Sequence, residues 1–195
     1  MVANQTGAED KRDPVLDQVR QLFGRAVYTH KTHEKDRERL SRLGTILRWF
    51  NVVLGALTLG GIVAAIFGSQ GTTQLVLSGI LATINVGAAL AQLSFDPLGQ
   101  AAFHRDAAKQ LVSVRDGYET LIADIVSGSL RPEDVRARRD ALQSRAQEAY
   151  RYAPDTSRRG YALAQKGLKV SEDMTFSAAE IDALLPEALR YAPTP

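Results

Sequence analysis

An uncharged block in the middle of the chain restricts the possible folds more than any other feature. No Asp, Glu, Lys or Arg lies between Arg48 and Asp96, so 47 consecutive residues (49–95) carry no formal charge. The average composition, 45% hydrophobic and 24% charged, resembles that of a soluble protein, yet every charge falls in the remaining 148 positions. A chain that separates charge this sharply is not expected to fold as a single water-soluble globule.

The block divides into two apolar runs, 49–67 and 74–95, separated by the polar, glycine-rich turn 68–73. At about 1.5 Å per residue, each run forms a helix roughly 30 Å long, which matches the hydrocarbon core of a bilayer. Two segments cannot close a barrel, so helices must satisfy the backbone in lipid. We therefore predict a transmembrane helical hairpin. The alternative is a soluble helical toxin that hides the hairpin, but the other helices have narrow apolar stripes that could hardly cover it.

Basic residues flank the block on both sides and are absent from the turn. They are Lys31, Lys35, Arg37, Arg39, Arg42 and Arg48 before it, and Arg105, Lys109 and Arg115 after it. The positive-inside rule then predicts that both termini are cytoplasmic. A cleavable signal peptide is not expected, because the first apolar run begins far from the N-terminus.

Polar and small residues follow one face of each run, and we name this set the polar stripe. Its polar members are Asn51 and Thr58 in the first run and Ser78, Asn85 and Gln92 in the second. A ridge of small residues lies beside it at every fourth position: Gly79, Thr83, Gly87 and Ala91. Small residues let membrane helices approach closely, and amide side chains in hydrocarbon seek partners. The stripe is expected either to line a pore made by several copies or to hold helices together, and both readings favour a homo-oligomer.

The rest of the chain predicts helices, because no segment shows strand alternation bounded by turns. The predicted fold is all-α: a two-span transmembrane hairpin with a cytoplasmic helical bundle built from the flanking helices. Its parts are a disordered N-terminus (1–13), a cytoplasmic helix leading into the membrane (14–48), the hairpin (49–95), a cytoplasmic helical domain (96–170) and an acidic tail with one amphipathic helix (171–195). Helix starts are expected at Pro14, Pro97 and Pro132, where proline suits a first turn.

A heptad stripe is predicted on the long helix that follows the second run. Its main members are His104, Leu111, Arg115, Tyr118, Ile122 and Ile125. His104 is expected to be a packed, hydrogen-bonded core histidine, and Arg115 to meet an acid or a helix end. His30 and His33, in contrast, are expected on an exposed helix surface.

Several classes of chemistry are not expected. The chain has no cysteine, which excludes disulfides, thiolate zinc sites and cysteine nucleophiles, and three histidines argue against a histidine metal site. No phosphate-binding glycine motif, zinc-protease motif or nucleophile with its base occurs, so no enzymatic activity and no cofactor are expected. The net charge of +2 gives no reason to expect nucleic-acid binding. No ionisable residue lies within either run, which argues against a proton relay.

Short motifs around the hairpin resemble those of the SLATT family, bacterial two-transmembrane effectors associated with SMODS nucleotidyltransferases and SLOG nucleotide sensors. They are Tyr28-Thr29-His30-Lys31-Thr32-His33 before the first run, Ala102-Phe103-His104-Arg105-Asp106-Ala107-Ala108 and Tyr118 after the second, then Ala153-Pro154 and Tyr161-Ala162-Leu163-Ala164-Gln165-Lys166. The resemblance covers roughly residues 15 to 170 and leaves out the acidic tail.

The resemblance implies an effector of antiphage conflict that permeabilises the bacterial inner membrane. A nucleotidyltransferase or nucleotide-sensing partner would activate it. Together with the polar stripe, this favours a pore in which Asn85 and Gln92 face the lumen. The alternative is a non-conducting oligomeric scaffold that anchors a soluble partner.

Overall fold

The computed structural model describes residues 14–67, 72–175 and 177 of the chain. Within these ranges it is all-helical, as predicted. The five helices are α1 (Pro14–Phe67), α2 (Thr72–Ser94), α3 (Pro97–Val126), α4 (Pro132–Arg151) and α5 (Arg158–Lys169). The predicted disordered N-terminus and the amphipathic helix of the acidic tail lie outside the described residues.

Helix α1 runs without interruption from the charged part of the chain into the uncharged block. Its 54 residues make a rod about 80 Å long. No proline follows Pro14 before its end, so nothing breaks the ladder of backbone hydrogen bonds. The charge boundary between residues 48 and 49 therefore does not interrupt the helix. The residues on its two sides differ in polarity and not in backbone structure.

Helices α2 and α3 return along α1 and are separated by one sharp break. Helix α2 begins at Thr72, two residues before the predicted second run, and ends at Ser94. The side chain of Asp96 then accepts a hydrogen bond of 2.9 Å from the backbone N–H of Gly99, with Pro97 in the first turn of α3. This is the predicted helix start: aspartate accepts a hydrogen bond from a free N–H group of the first turn, and proline, which has no N–H, suits the first helical position.

Single residues mark the boundaries of the helices in the C-terminal half of the described chain. Gly128 adopts φ +67 directly after the last turn of α3, a left-handed conformation that glycine accepts without cost. Pro132 begins α4, and Ser157 caps α5 by accepting a 2.9 Å hydrogen bond from the N–H of Gly160. The start of α4 at Pro132 is the one predicted from the sequence.

We call residues 14–48 together with α3–α5 the polar bundle. Its core packs α1 against α3 and α4 and includes the buried side chains Val19, Val114, Tyr118, Leu121 and Leu142. Burial of such side chains removes apolar surface from water and supplies most of the stabilisation of a bundle of this kind.

The prediction for the heptad stripe of α3 is only partly correct. His104, Leu111 and Tyr118 are buried. Arg115, Ile122 and Ile125 are only half buried, whereas Val114 and Leu121, on the other flank of the stripe, are almost fully buried. Helix α4 covers the flank that carries Val114 and Leu121. It packs closely there, since a Cβ added at Gly117 of α3 would lie 2.5 Å from Leu142 Cδ2 of α4.

The second structural unit is the apolar hairpin, formed by residues 49–67 of α1 and by α2. Only 11% and 6% of the most apolar windows of its two helices are buried. Large side chains such as Leu57, Val76 and Leu90 are more than half exposed. A hairpin hidden inside a soluble protein would bury these faces, and the described residues leave them open, which argues against that alternative. Both helices are long and apolar enough to cross a membrane.

Candidate functional site: the polar stripe and the histidine cluster

The polar stripe lies between the two helices of the apolar hairpin. Asn51 Nδ2 of α1 donates a hydrogen bond of 2.5 Å to Gln92 Oε1 of α2. Ser78 is 7% exposed and Thr58 is 8% exposed, although most of the hairpin is open to its surroundings. The Thr58 hydroxyl donates to Leu54 O of its own helix at 2.8 Å. Of the two uses predicted for the stripe, the single hairpin shows helix packing.

Glycines of α1 let the polar side chains of α2 approach its backbone. A Cβ at Gly61 would stand 2.6 Å from Ser78 Oγ, and a Cβ at Gly55 would stand 3.4 Å from Asn85 Nδ2. A larger residue at Gly61 would therefore require the Ser78 hydroxyl or the helix that carries it to move. This close approach is the usual role of small residues between membrane helices.

The predicted ridge of small residues does not contact α1. Gly79, Thr83, Gly87 and Ala91 are all exposed on the outer side of α2. Added Cβ atoms at Gly79 and Gly87 would meet nothing within 4 Å. The Thr83 hydroxyl donates to Gly79 O within the same helix at 2.9 Å, so it needs no partner from outside. Packing of this ridge against another copy stays a prediction.

Two amide groups of the stripe remain without a full set of partners. Asn51 Oδ1 is buried and accepts no hydrogen bond. Asn85, close to the middle of α2, makes no hydrogen bond to any residue that the structure describes and is partly exposed. An unpaired amide in hydrocarbon is costly, so a single hairpin leaves this position unsatisfied.

A cluster of histidines joins α1 to α3 inside the polar bundle. His33 Nδ1 lies 2.9 Å from His104 Nδ1, and both rings are buried. Burial, together with the neighbouring His104, lowers the pKa of His33 to about 4, and burial also lowers the pKa values of His104 and His30. One neutral imidazole must donate and the other accept, so the two rings carry opposite tautomers.

A buried carboxylate on α1 holds the first turn of α5. Asp36 is 1% exposed and accepts hydrogen bonds from Ser157 N at 2.7 Å and from Ser157 Oγ at 2.5 Å. A Cβ at Gly160 would come within 2.5 Å of Asp36 Oδ2, so only glycine leaves room for the carboxylate at this helix end. A negative charge at a helix N-terminus is favoured by the helix dipole and by the free N–H groups.

Ion pairs tie the segment after α5 back to α1. Lys31 Nζ lies 3.3 Å from Glu34 and 3.2 Å from Asp173, and it is 8% exposed. The Tyr28 and Tyr161 rings lie 6.0 Å apart between α1 and α5. The motif 28–33 of α1 is therefore the surface on which α5 packs.

The prediction that His30 and His33 are exposed is wrong, since they are 5% and 2% exposed. The prediction did not foresee that α3 and α5 both pack on α1 here. Together they bury all four residues 30–33. Asp36 also went unrecognised as a functional residue. A signal was available in the run Lys31-Thr32-His33 and in Asp36. These residues are too polar for an ordinary apolar core, yet their charges do not alternate in the way that is typical of a solvated helix face, which indicates buried polar contacts. His104 lies where the heptad stripe places it.

The buried polar groups do not form a metal site in the part of the chain that the structure describes. No three metal-ligating side chains converge among residues 14–67 and 72–175. His30 Nε2 faces Glu34 at 3.7 Å, whereas the His33 ring turns to His104. These groups bond to one another and to helix ends, so the cluster fixes how the three helices pack.

Comparison with protein families identifies one domain that covers most of the chain. The family described as SMODS and SLOG-associating 2TM effector domain family 4 matches residues 15–180. The match begins one residue into α1 and includes both helices of the apolar hairpin and the whole histidine cluster. Comparison with curated proteins and with solved structures gives no match.

Proposed function

We propose that this chain, which belongs to family 4 of the SMODS and SLOG-associating 2TM effector domains, permeabilises a membrane when several copies of its hairpin assemble. Membership makes it a membrane-associated effector of defence systems. The apolar hairpin supplies the two membrane-spanning helices. Conduction, assembly and activation are the parts that we propose here.

The observation that carries the proposal is the unpaired amide of Asn85 near the middle of α2. Neither α1 nor any other described residue satisfies it in a single copy. A second hairpin, or water in a lumen, would supply the missing hydrogen bonds and remove the cost of exposing an amide to lipid. Asn85 therefore favours assembly, because its amide has no hydrogen-bond partner in a single hairpin and can gain one from a second copy or from water.

Opening requires α2 to turn its polar face away from α1. Among the described residues, a single interhelical side-chain hydrogen bond, Asn51 to Gln92, crosses the hairpin. The break at residues 95–96 separates α2 from α3, so α2 can rotate without displacing the bundle. Rotation would bring Asn85 and Gln92 to a shared lumen. The single copy would then be a closed state.

Helix α1 would transmit activation. It is one rod from the histidine cluster to the far end of the first span, and Asp36 attaches α5 to it. A change imposed on α5 by a partner protein would therefore move α1 within the membrane. The partner that we propose is a nucleotidyltransferase or a nucleotide-sensing protein, in keeping with the family description.

The basic residues that flank the hairpin support a location in the bacterial inner membrane with both termini cytoplasmic. Helices α3 and α5 both contact the part of α1 that precedes the hairpin, through His33–His104 and Asp36–Ser157, which supports a polar bundle on one side of the membrane. Labelling of single cysteines introduced at the exposed positions Thr156 and Ser129 with a membrane-impermeant reagent checks this. Labelling in intact cells would contradict it, whereas labelling only after lysis supports it.

Dye release from liposomes tests the pore. The purified protein should release a small trapped dye, and the double variant Asn85→Leu, Gln92→Leu should release little while still inserting. The matched control is Ser94→Ala, which also removes a polar group from α2 but one that bonds within its own helix and lies outside both the stripe and the ridge. Intact vesicles under every activating condition, with and without candidate partners, would contradict the proposal.

The second candidate is a non-conducting oligomeric scaffold that anchors a soluble partner. The Asn51–Gln92 hydrogen bond favours it, because a polar stripe already paired inside the hairpin suits a permanently closed structure. The two functions differ in one measurement. Replacing both spans with an unrelated hairpin should abolish the activity of a pore in cells but preserve that of a scaffold.

A further inference from the structure

A basic pocket lies between α1 and the beginning of α3 in the polar bundle. It has a volume of about 370 Å³, at the lower end of the roughly 300–1,000 Å³ that is typical of small-ligand sites. Its polar lining is Arg37, Glu38, Ser41 and Arg42 of α1 and Arg105 of α3. Three guanidinium groups from two helices therefore border one cavity.

Two close contacts between α1 and α3 hold the walls of this pocket in place. On the membrane side, Leu98 packs so tightly on Gly44 that a Cβ there would lie 2.5 Å from Leu98 Cγ. On the other side, His33 Nδ1 lies 2.9 Å from His104 Nδ1. The lining residues of α1 fall between these two contacts. Helix packing therefore sets the spacing of the walls before any ligand binds.

The polar groups of the lining that lack a partner can all donate hydrogen bonds. Arg37 and Arg42 form no ion pair with any residue that the structure describes, and Arg37 Nε is buried without an acceptor. The Ser41 hydroxyl likewise has no hydrogen-bond partner among the described residues. A guanidinium group has five N–H donors and no acceptor, so the pocket lacks hydrogen-bond acceptors and not donors.

The positive charge of the pocket is not neutralised by the protein. Among the described lining residues the single acid is Glu38, which already faces Lys35 Nζ at 3.4 Å. Arg105 meets Asp106 at 3.4 Å, but both side chains are about half exposed, so solvent screens this pair. A ligand that suits the pocket is therefore an anion that accepts several hydrogen bonds.

The arginines of the pocket stand beyond the lipid headgroups, in water. At about 1.5 Å per residue, the backbones of Arg42, Arg105 and Arg37 lie about 10, 15 and 18 Å from the uncharged block. The headgroup layer is roughly 5–8 Å deep on each side of a bilayer. The pocket is therefore open to soluble ligands.

The chemistry of the lining fits a phosphate group joined to an organic part. Guanidinium groups bind phosphate through two parallel hydrogen bonds, and a phosphate monoester presents three oxygens and nearly two negative charges to several arginines at once. The rest of the wall includes Leu98, Ala101 and Ala102 of α3. These side chains offer an apolar surface that inorganic phosphate alone would leave uncovered.

We infer that this pocket binds a soluble organic phosphate, with Arg37, Arg42 and Arg105 around the phosphate and with Leu98 and Ala102 against the organic part. The ligand would join α1 to α3 on the cytoplasmic side of the hairpin. The site is formed by the polar bundle alone. It does not depend on conduction by the hairpin, so a failed dye-release experiment leaves it unaffected.

Thermal unfolding of the full chain in mild detergent tests the site, with phenyl phosphate as the probe and sodium chloride holding the ionic strength constant. Phenyl phosphate should raise the unfolding temperature of the wild type, because a ligand that binds only the folded state stabilises it. Inorganic phosphate should give a smaller rise. The Arg37→Gln, Arg42→Gln variant should lose the rise. The control Arg136→Gln, Arg151→Gln removes the same charge from exposed positions of α4 and should keep it.

Single changes at Arg42 separate a built site from diffuse positive charge and keep the test valid if the double variant does not fold. Arg42 is exposed, and Arg42→Gln should weaken phenyl phosphate binding by about tenfold, the usual worth of one charged hydrogen bond. Arg42→Lys keeps the charge but cannot donate two parallel hydrogen bonds, so it should also weaken binding.

Four results would overturn the inference. They are no rise in the unfolding temperature of the wild type, an equal loss of the rise in the α4 control, binding by Arg42→Lys that equals that of the wild type, and a rise with benzoate as large as that with phenyl phosphate. Benzoate has the same ring but a single carboxylate, so an equal effect would show that the pocket does not select phosphate.

Discussion

His33 Nδ1 on α1 and His104 Nδ1 on α3 are 2.9 Å apart in the interior of the polar bundle. This contact requires at least one ring to be neutral, because two protonated imidazoles would place N–H groups and positive charges face to face. It also lies on the stretch of α1 that holds α5, between Lys31, which pairs with Asp173, and Asp36, which bonds to Ser157. The pair therefore makes helix packing sensitive to protons.

Acid should destabilise the polar bundle through these histidines. The pKa of His33 is about 4 in the folded state against 6.5 when unfolded, so the unfolded chain takes up the proton first. The contribution of His33 to the free energy of unfolding should be fully present above pH 6.5. It should fall as the pH drops toward 4, by up to about 3 kcal/mol. Unfolding in detergent over this pH range measures the effect.

The variant His33→Asn identifies the residue responsible. Asparagine keeps a group that can hydrogen-bond with His104 but does not titrate. Its stability should therefore depend less on pH than that of the wild type, with the remaining dependence due to His30 and His104. An unchanged pH profile would show that His33 is not the group being protonated.

Loss of the Asp36 charge should release α5. In Asp36→Asn an amide replaces the carboxylate that accepts from Ser157 N and Oγ, so one donor would face another. We expect a loss of about 2 kcal/mol and faster proteolysis in the segment 152–157. Asp140→Asn, at an exposed acid beside Arg139, is the control and should change stability by less than about 0.5 kcal/mol. Equal protease resistance of the two variants would contradict the role of Asp36.

A pair of glycine variants tests the space at the same helix end. Gly160→Ala should destabilise by about 1–3 kcal/mol, because its Cβ would collide with the Asp36 carboxylate 2.5 Å away. Gly24→Ala, where nothing lies within 4 Å, should instead stabilise α1 by about 0.5–1 kcal/mol. Chemical denaturation of both proteins would measure the opposite signs. If Gly160→Ala were harmless, α5 would not dock as closely as described.

A double-mutant cycle tests whether the polar stripe packs inside one hairpin. Asn51→Ala and Gln92→Ala should be coupled by about 0.5–1.5 kcal/mol in the membrane, since each removes the partner of the other. Asn51→Ala and Ser78→Ala lie at different levels of the hairpin and should be additive. Additivity in the first cycle would mean that Asn51 and Gln92 do not pair in the resting protein.

Local signals in the sequence predicted the helices well, because each boundary depends on one or two residues. Asp96, Pro132 and Ser157 start helices through their own side chains or rings, and Gly128 ends one through its conformation. The hairpin followed from the absence of charge alone. None of these features needs a partner that is distant in the chain.

The candidate site was harder to predict because its residues come together only through packing. Asp36 and Ser157 are 121 positions apart, and nothing in either local sequence reports the other. The heptad stripe of α3 showed which side of the helix is apolar but not which flank α4 would cover. Val114 and Leu121 are more apolar than Arg115, and this difference could have indicated that their flank is the buried one.

Composition and charge order by themselves determined that this chain has a two-helix apolar hairpin and polar helices around it, because the transfer of charge into hydrocarbon is too costly for any other arrangement. Only the tertiary structure decided that the polar stripe faces inward, that His33 meets His104, and that Asp36 holds α5. Those contacts depend on which helix faces cover one another. That choice is made by the shape and close packing of the whole bundle, which no single stretch of sequence contains.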